Sequence, residues 1–232
     1  SALSQNCLPF LGFSPRSPTC RLISLLRLRL DSTPSRNLKN LMTQATASHT
    51  DYRNYVEERL MKTRTIMIYG GINQAVAQDV SEKLIILSEE SNEDITIYLN
   101  SQGGHVEAGD TIYDMIQHVT PTIRVVGTGW VASAGALIYS APKKECRFAL
   151  PNTRFMLHQP SGGVGGTASD VKIEVEELIK MRKRLNQIFA DQTGQSLERV
   201  TEDSDRNFWM SAQEAVDYGL AGSIVKSASE LS

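Results

Sequence analysis

The sequence predicts an α/β fold with a mainly parallel sheet, and three observations carry that reading. β-branched runs alternate with stretches whose apolar residues recur at helical spacing. The connections between them are short, as in right-handed βαβ units. A glycine turn and a serine set among small residues both fall where strands end, and open α/β sheets place their sites at the carboxyl ends of strands.

In chain order, Val56 to Leu60 is expected to form a short helical turn, and Thr65 to Tyr69 a strand ended by Gly70 and Gly71. Val76, Val80, Leu84 and Leu87 give Ala75–Glu90 one apolar stripe and make it a helix. Asp94 to Asn100 reads as a second strand, and the turn Ser101-Gln102-Gly103-Gly104 leads into a helix near Glu107–Val119 that Pro121 stops. Ile123–Val126 is a third strand, followed by the helix that opens beside Ser133. Phe155–Leu157 is a further strand ending at His158, after which Gly162, Gly163, Gly165 and Gly166 make a tract nearly free of side chains. A long amphipathic helix over about Ser169–Asp191 follows, with Val171, Val175, Leu178, Leu185 and Ile188 on one stripe, broken at Thr193-Gly194. Its length suggests a helix–helix contact between subunits. Short helices near Leu197 and Ala212 precede a last strand, Ser223–Val225, and no internal repeat is present.

The 232 residues suit one sizeable domain over 52–232 and an N-terminal extension over 1–51. Residues 1–50 hold six basic side chains (Arg16, Arg21, Arg27, Arg29, Arg36, Lys39) against one acid, Asp31. Rich in Ser, Pro and Arg, the extension reads either as a transit peptide or as sequence upstream of a start at Met42. The rest carries 18 basic and 25 acidic residues, a balance that argues against nucleic acid as a partner. No stretch reaches the roughly 20 apolar residues of a membrane span. Three cysteines (Cys7, Cys20, Cys146) with no CxxC pair argue against a disulfide framework and a structural metal site.

Ser133 is the candidate nucleophile. Ala132, Ala134, Gly135 and Ala136 surround it with small side chains, and backbone N–H groups at a helix start suit a developing oxyanion. The alternative reading is an N-capping serine. His158 ends a strand, where a lone histidine reads by itself as a hydrogen-bonded structural residue. His49, His105 and His118 lack a comparable context.

The motifs Y-L-N-S-Q-G-G, I-Y-D-M-I-Q, A-S-A-G-A, F-A-L-P-N, M-L-H-Q-P, T-G-Q-S-L-E and M-S-A-Q-E-A-x-x-Y-G-L occur in this order. With them, the stretch from about Tyr55 to Val225 resembles the Clp protease proteolytic subunit (ClpP) family. The resemblance implies a crotonase-like α/β fold of repeated βαβ units with a protruding handle helix. It implies serine peptidase chemistry, with Ser133 as nucleophile, His158 as base, and the backbone N–H groups of Gly104 and Ala134 as the oxyanion hole. The family's third catalytic residue is an acid in a D-R-D-like motif. Here that motif is Asp205-Arg206-Asn207, so Asn207 takes the acid's place. An amide oxygen can accept the imidazole Nδ1–H but brings no negative charge to the imidazolium, which predicts attenuated activity. Asp203 and Asp205 are alternative acids that the alignment does not favour.

Further expectations follow from the resemblance. Asp205 and Arg206 match a pair that joins opposite rings. Gly162 to Asp191 matches the handle on which two seven-membered rings stack, its glycines an edge strand for extended substrate. The implied partners are unfolded polypeptide, a Clp-type AAA+ ATPase reached directly or through a second ring, and copies of this chain or a paralogue; no nucleic acid or membrane is implied. No cofactor belongs to this subunit, since ATP is used by the ATPase. Thr96 and His118 stand where relatives carry pocket aromatics, which weakens the case for direct ATPase docking. The implied compartment is a bacterial-type cytoplasm, or a plastid or mitochondrion if residues 1–41 are a transit peptide. A non-catalytic ring subunit and an acyl-CoA-binding crotonase relative remain alternative readings.

Overall fold

The computed structural model describes residues 51–163 and 165–231; the N-terminal extension read from the sequence lies outside this range except for its last residue. Residues 51–62 are helical (α1), longer than the single turn expected. From Val56 the chain forms one compact unit. Its elements run β1 (Thr65–Ile72), α2 (Gln74–Glu90), β2 (Ile95–Gly104), α3 (Val106–His118), β3 (Ile123–Ala132), α4 (Ala134–Ser140), β4 (Arg147–Ala149) and β5 (Arg154–Leu157). There follow α5 (Ala168–Thr193), α6 (Leu197–Asp203), β6 (Phe208–Ser211), α7 (Ala212–Tyr218) and β7 (Ser223–Ile224).

β1, β2 and β3 lie side by side in chain order and are parallel. Right-handed crossovers between strands that march one way put their helices on one face. The burial pattern agrees: Ile66, Ile68, Ile95, Ile97 and Val125 are buried against the helical layer, while Met67 and Tyr69 alternate outward on β1. α2 contributes Ala77, Val80, Leu84 and Leu87 to this core, and Asn73 caps it by accepting the Val76 N–H at 3.0 Å. On the opposite face Tyr98, Val126, Phe148, Leu150, Val225 and Leu231 form a smaller apolar cluster.

β3 is longer than the sequence suggested, and it divides the sheet. Its first half pairs with β4 at Val125–Gly127, and its second half with β5 at Trp130–Ala132. The Gly127 carbonyl, at the fork, accepts from Leu150 N at 3.0 Å and from the Thr153 hydroxyl at 2.8 Å. β5 then pairs antiparallel with β6, so Leu157 faces Phe208. β4 and β6 were not foreseen; each is three or four residues long, too short for a period to show.

α5 opens with a capping box in which Thr167 and Asp170 satisfy each other's backbone N–H, and ends at Gly194 with φ 75°. Leu185, Asn186, Phe189 and Ala190 bury its base, whereas Ile173, Val175 and Ile179 on the distal half are exposed. The glycine tract before it is irregular in the single chain, not the edge strand the resemblance implies. Beside the helix base the buried Arg147 guanidinium donates to the carbonyls of Pro142 (2.7 Å), Gln192 (2.8 Å) and Leu220 (3.4 Å) and to the Gln192 side chain.

Candidate active site

Ser133 sits between β3 and α4 with φ 57° and ψ −125°, a strained backbone for a residue with a Cβ. Its neighbours hold it there. The Ser133 N–H donates to Met156 O at 2.9 Å, and Ser133 O accepts from Ala136 and Leu137. Its side chain makes no capping bond, which sets aside the N-cap alternative. Instead, Ser133 Oγ lies 2.8 Å from His158 Nε2. An imidazole at this distance can take the hydroxyl proton and return it to a leaving group.

His158 reaches this position because β3 and β5 are adjacent: Ala132 is level with Met156, and each catalytic candidate lies just beyond its strand. Beyond His158 the chain is tied down. Gln159 N donates to Ser204 O at 2.6 Å, and its side-chain amide donates to Asp205 O at 2.7 Å. The Ser204 hydroxyl in turn donates to Asn186 Oδ1 on α5 at 3.1 Å.

Gly103 and Gly104 stand across from the serine. A Cβ on Gly103 would lie 2.5 Å from Ser133 Cβ and 3.0 Å from Ala134 N, and one on Gly104 would lie 2.2 Å from Ile72 O. Both residues have positive φ, so glycine is required twice over. Ala134 is buried against Gly109, where a Cβ would come within 3.1 Å of its own. Next to Ser133 and His158 opens a cleft of about 20 Å³, room for about one water. Val106, Leu137 and Leu157 line it together with Leu185 and Phe189 from α5. The α5 pair was not foreseen as part of the site: Leu185 stood on a stripe read as a contact between subunits, and Phe189 was not singled out.

The third position behaves differently. Continuing the β5–β6 register one step past Leu157 and Phe208 sets Asn207 opposite His158. Yet Asn207 is exposed, and no hydrogen bond joins its side chain to the imidazole. Neither alternative acid replaces it. Asp203 accepts from Tyr218 Oη at 3.0 Å and faces Arg199, while Asp205 is paired with Arg182 at 3.0 Å. Arg206 is largely exposed, with Asp205 as its one ion partner among the described residues, at 4.0 Å. His105 pairs with Glu107 at 3.2 Å on the surface beside the glycine turn. Among the described residues no cluster of three or more potential metal ligands occurs, and no helix is long and apolar enough to cross a membrane.

A serine hydroxyl on an imidazole, at the carboxyl end of a mostly parallel sheet and beside an apolar cleft, defines the class: an α/β protein arranged for acyl transfer. The chain belongs to the Clp protease family, whose pattern matches residues 48–228. It is 56% identical to ATP-dependent Clp protease proteolytic subunit 3 of Rhizobium etli over 175 residues, 75% of this chain and 90% of that one. It is 57% identical to proteolytic subunit 2 of Gluconobacter oxydans over 178 residues, 76% of this chain and 80% of that one. Among solved structures, ClpP1 from Listeria monocytogenes is 54% identical with a TM-score of 0.70, and an asparagine-to-aspartate mutant of it is 53% identical with a TM-score of 0.72. Each comparison covers 76% of this chain and 99% of the other. The fold is thus that of the Clp protease proteolytic subunits.

Proposed function

We propose that this chain is a serine endopeptidase subunit of a barrel-shaped, ATP-dependent Clp protease, with attenuated activity of its own. Ser133 attacks the scissile carbonyl, and His158 takes its proton and delivers it to the leaving amine. The N–H groups of Gly104 and Ala134 receive the oxyanion, and Asn207 turns inward to orient the imidazole. The substrate is unfolded polypeptide. Rings form through copies of this chain or a paralogue, opposed rings meet through Asp205, Arg206 and the exposed face of α5, and a partner AAA+ ATPase consumes the ATP. The bacterial relatives support a bacterial-type cytoplasmic setting.

The observation that carries this reading is the 2.8 Å contact between Ser133 Oγ and His158 Nε2. A fluorogenic peptide assay on the assembled protein tests it. Wild type should cleave slowly, Ser133→Ala should not cleave, and Asn207→Asp should cleave faster. No activity in any of the three, with assembly intact, removes the reading. A second reading, a non-catalytic subunit that stabilises the barrel, is favoured by the exposed Asn207, whose side chain makes no hydrogen bond among the described residues. It predicts that an active-site fluorophosphonate leaves Ser133 unmodified.

A further inference from the structure

We propose that Ser101 is a positioning residue for the oxyanion site, acting through Gly103 and Gly104. The inference rests on the peptidase reading of Ser133. It begins with an irregularity in the sheet. β1 and β2 are in register up to Tyr69 and Asn100, and resume at Gly71 and Gly103. One residue is extra on β1, Gly70, and two on β2, Ser101 and Gln102. The β2–β3 ladder shifts at the same level, between Leu99 and Ser101. Bulges of this kind re-aim the chain and leave backbone groups without ladder partners.

One hydroxyl serves both sides of the irregularity. Ser101 is fully buried, its Oγ donates to Gly70 O at 2.6 Å, and the same oxygen accepts the Gly103 N–H at 3.0 Å. Gln102 adds a second tie at the surface. With its amide turned to satisfy both partners, it donates to Gly70 O at 3.3 Å and accepts from Gly71 N at 3.2 Å. Ser101 also lies against the nucleophile's own turn. A Cβ on Gly135 would come 3.1 Å from its carbonyl oxygen and 3.2 Å from its Cβ.

Ser101 is therefore wedged between the two backbone segments whose N–H groups would hold the oxyanion. Gly70, Gly103 and Gly104 all have positive φ and so hold no conformation by steric preference alone. The hydroxyl supplies the constraint the glycines lack. Fixed donors act when charge develops on the carbonyl oxygen rather than when substrate binds. Loss of the hydroxyl should slow the bond-forming step and spare affinity.

The test follows phosphonylation of Ser133 by an alkyl fluorophosphonate in the assembled full-length protein, since the reagent's phosphoryl oxygen occupies the oxyanion position. In Ser101→Ala, kinact should fall about tenfold or more while KI stays within twofold. The near-isosteric Ser101→Cys, whose thiol is a weak donor and acceptor, should lower kinact by about two- to fivefold in the same way, and it decides the matter if Ser101→Ala does not fold. An unchanged kinact, or a rise in KI alone, overturns the inference. Failure of the wild type to react overturns the peptidase reading itself, which separates the two failures.

Discussion

The two sides of His158 are built to different standards. Toward Ser133 almost every degree of freedom is fixed: a positive-φ serine, a Met156 carbonyl on its N–H, and Gly103 pressed so close that a methyl has no room. Toward Asn207 the β5–β6 register supplies the position, but the side chain is exposed and makes no hydrogen bond among the described residues. The position of Ser133 is thus specified by backbone packing. At Asn207 the chain offers one exposed amide, and a carboxylate there would gain an ionic attraction to a protonated His158 that an amide lacks.

Four substitutions sharpen or break this contrast. The largest effect is expected for Ser133→Ala, which should lower peptide turnover by roughly 10⁴–10⁶-fold, measured in a fluorogenic assay. A residual rate above that range would mean that another group attacks. Asn207→Asp should raise turnover at least tenfold, with a ceiling of about 10⁴ set by the reverse exchange in a Ser-His-Asp protease. An unchanged kcat with intact assembly would show that the third position does not limit the reaction. Gly103→Ala should lower the rate of Ser133 labelling at least about tenfold and destabilise the fold by roughly 1–3 kcal/mol, read from denaturant midpoints. Its new methyl would fall 2.5 Å from Ser133 Cβ. Asn207→Ala should change unfolding stability by less than about 0.5 kcal/mol, because the residue is exposed and unbonded. A larger loss would reveal a structural role on the side described as open.

Much of this arrangement was legible in the sequence. The alternation of β-branched runs with helical stripes gave the three central strands, α2 and α5, because long periods are hard to mistake. Ser133 and His158 were legible as an ordered pair. The ends of β2 and β3 were not: Gly103, Gly104 and Gly129 have low strand propensity and positive φ, which strand patterning does not anticipate. β4 was hidden by Arg147, a charged residue buried in a three-residue strand. Ser101 looked like any turn serine, since its importance lies in two backbone partners, one of them 31 positions away. Asn207 marks another limit. Its place came from the resemblance of Asp205-Arg206-Asn207 to a family motif, but a rotamer is set by contacts, and this residue is exposed.

The Arg147 anchor has a consequence for how the long helix comes loose. The cation is balanced by carbonyl dipoles, not by a carboxylate, so no partner can be neutralised by acid. At the far end of the same helix the Thr167 hydroxyl and N–H hold the Asp170 carboxyl below its usual range, so this cap is lost as pH falls through that lowered value, while surface pairs such as Lys180 with Glu177 are screened by salt. Acidification or high ionic strength should therefore fray α5 from its solvent-facing tip while its root stays docked, a directional melting that amide exchange would record as a gradient of protection along the helix.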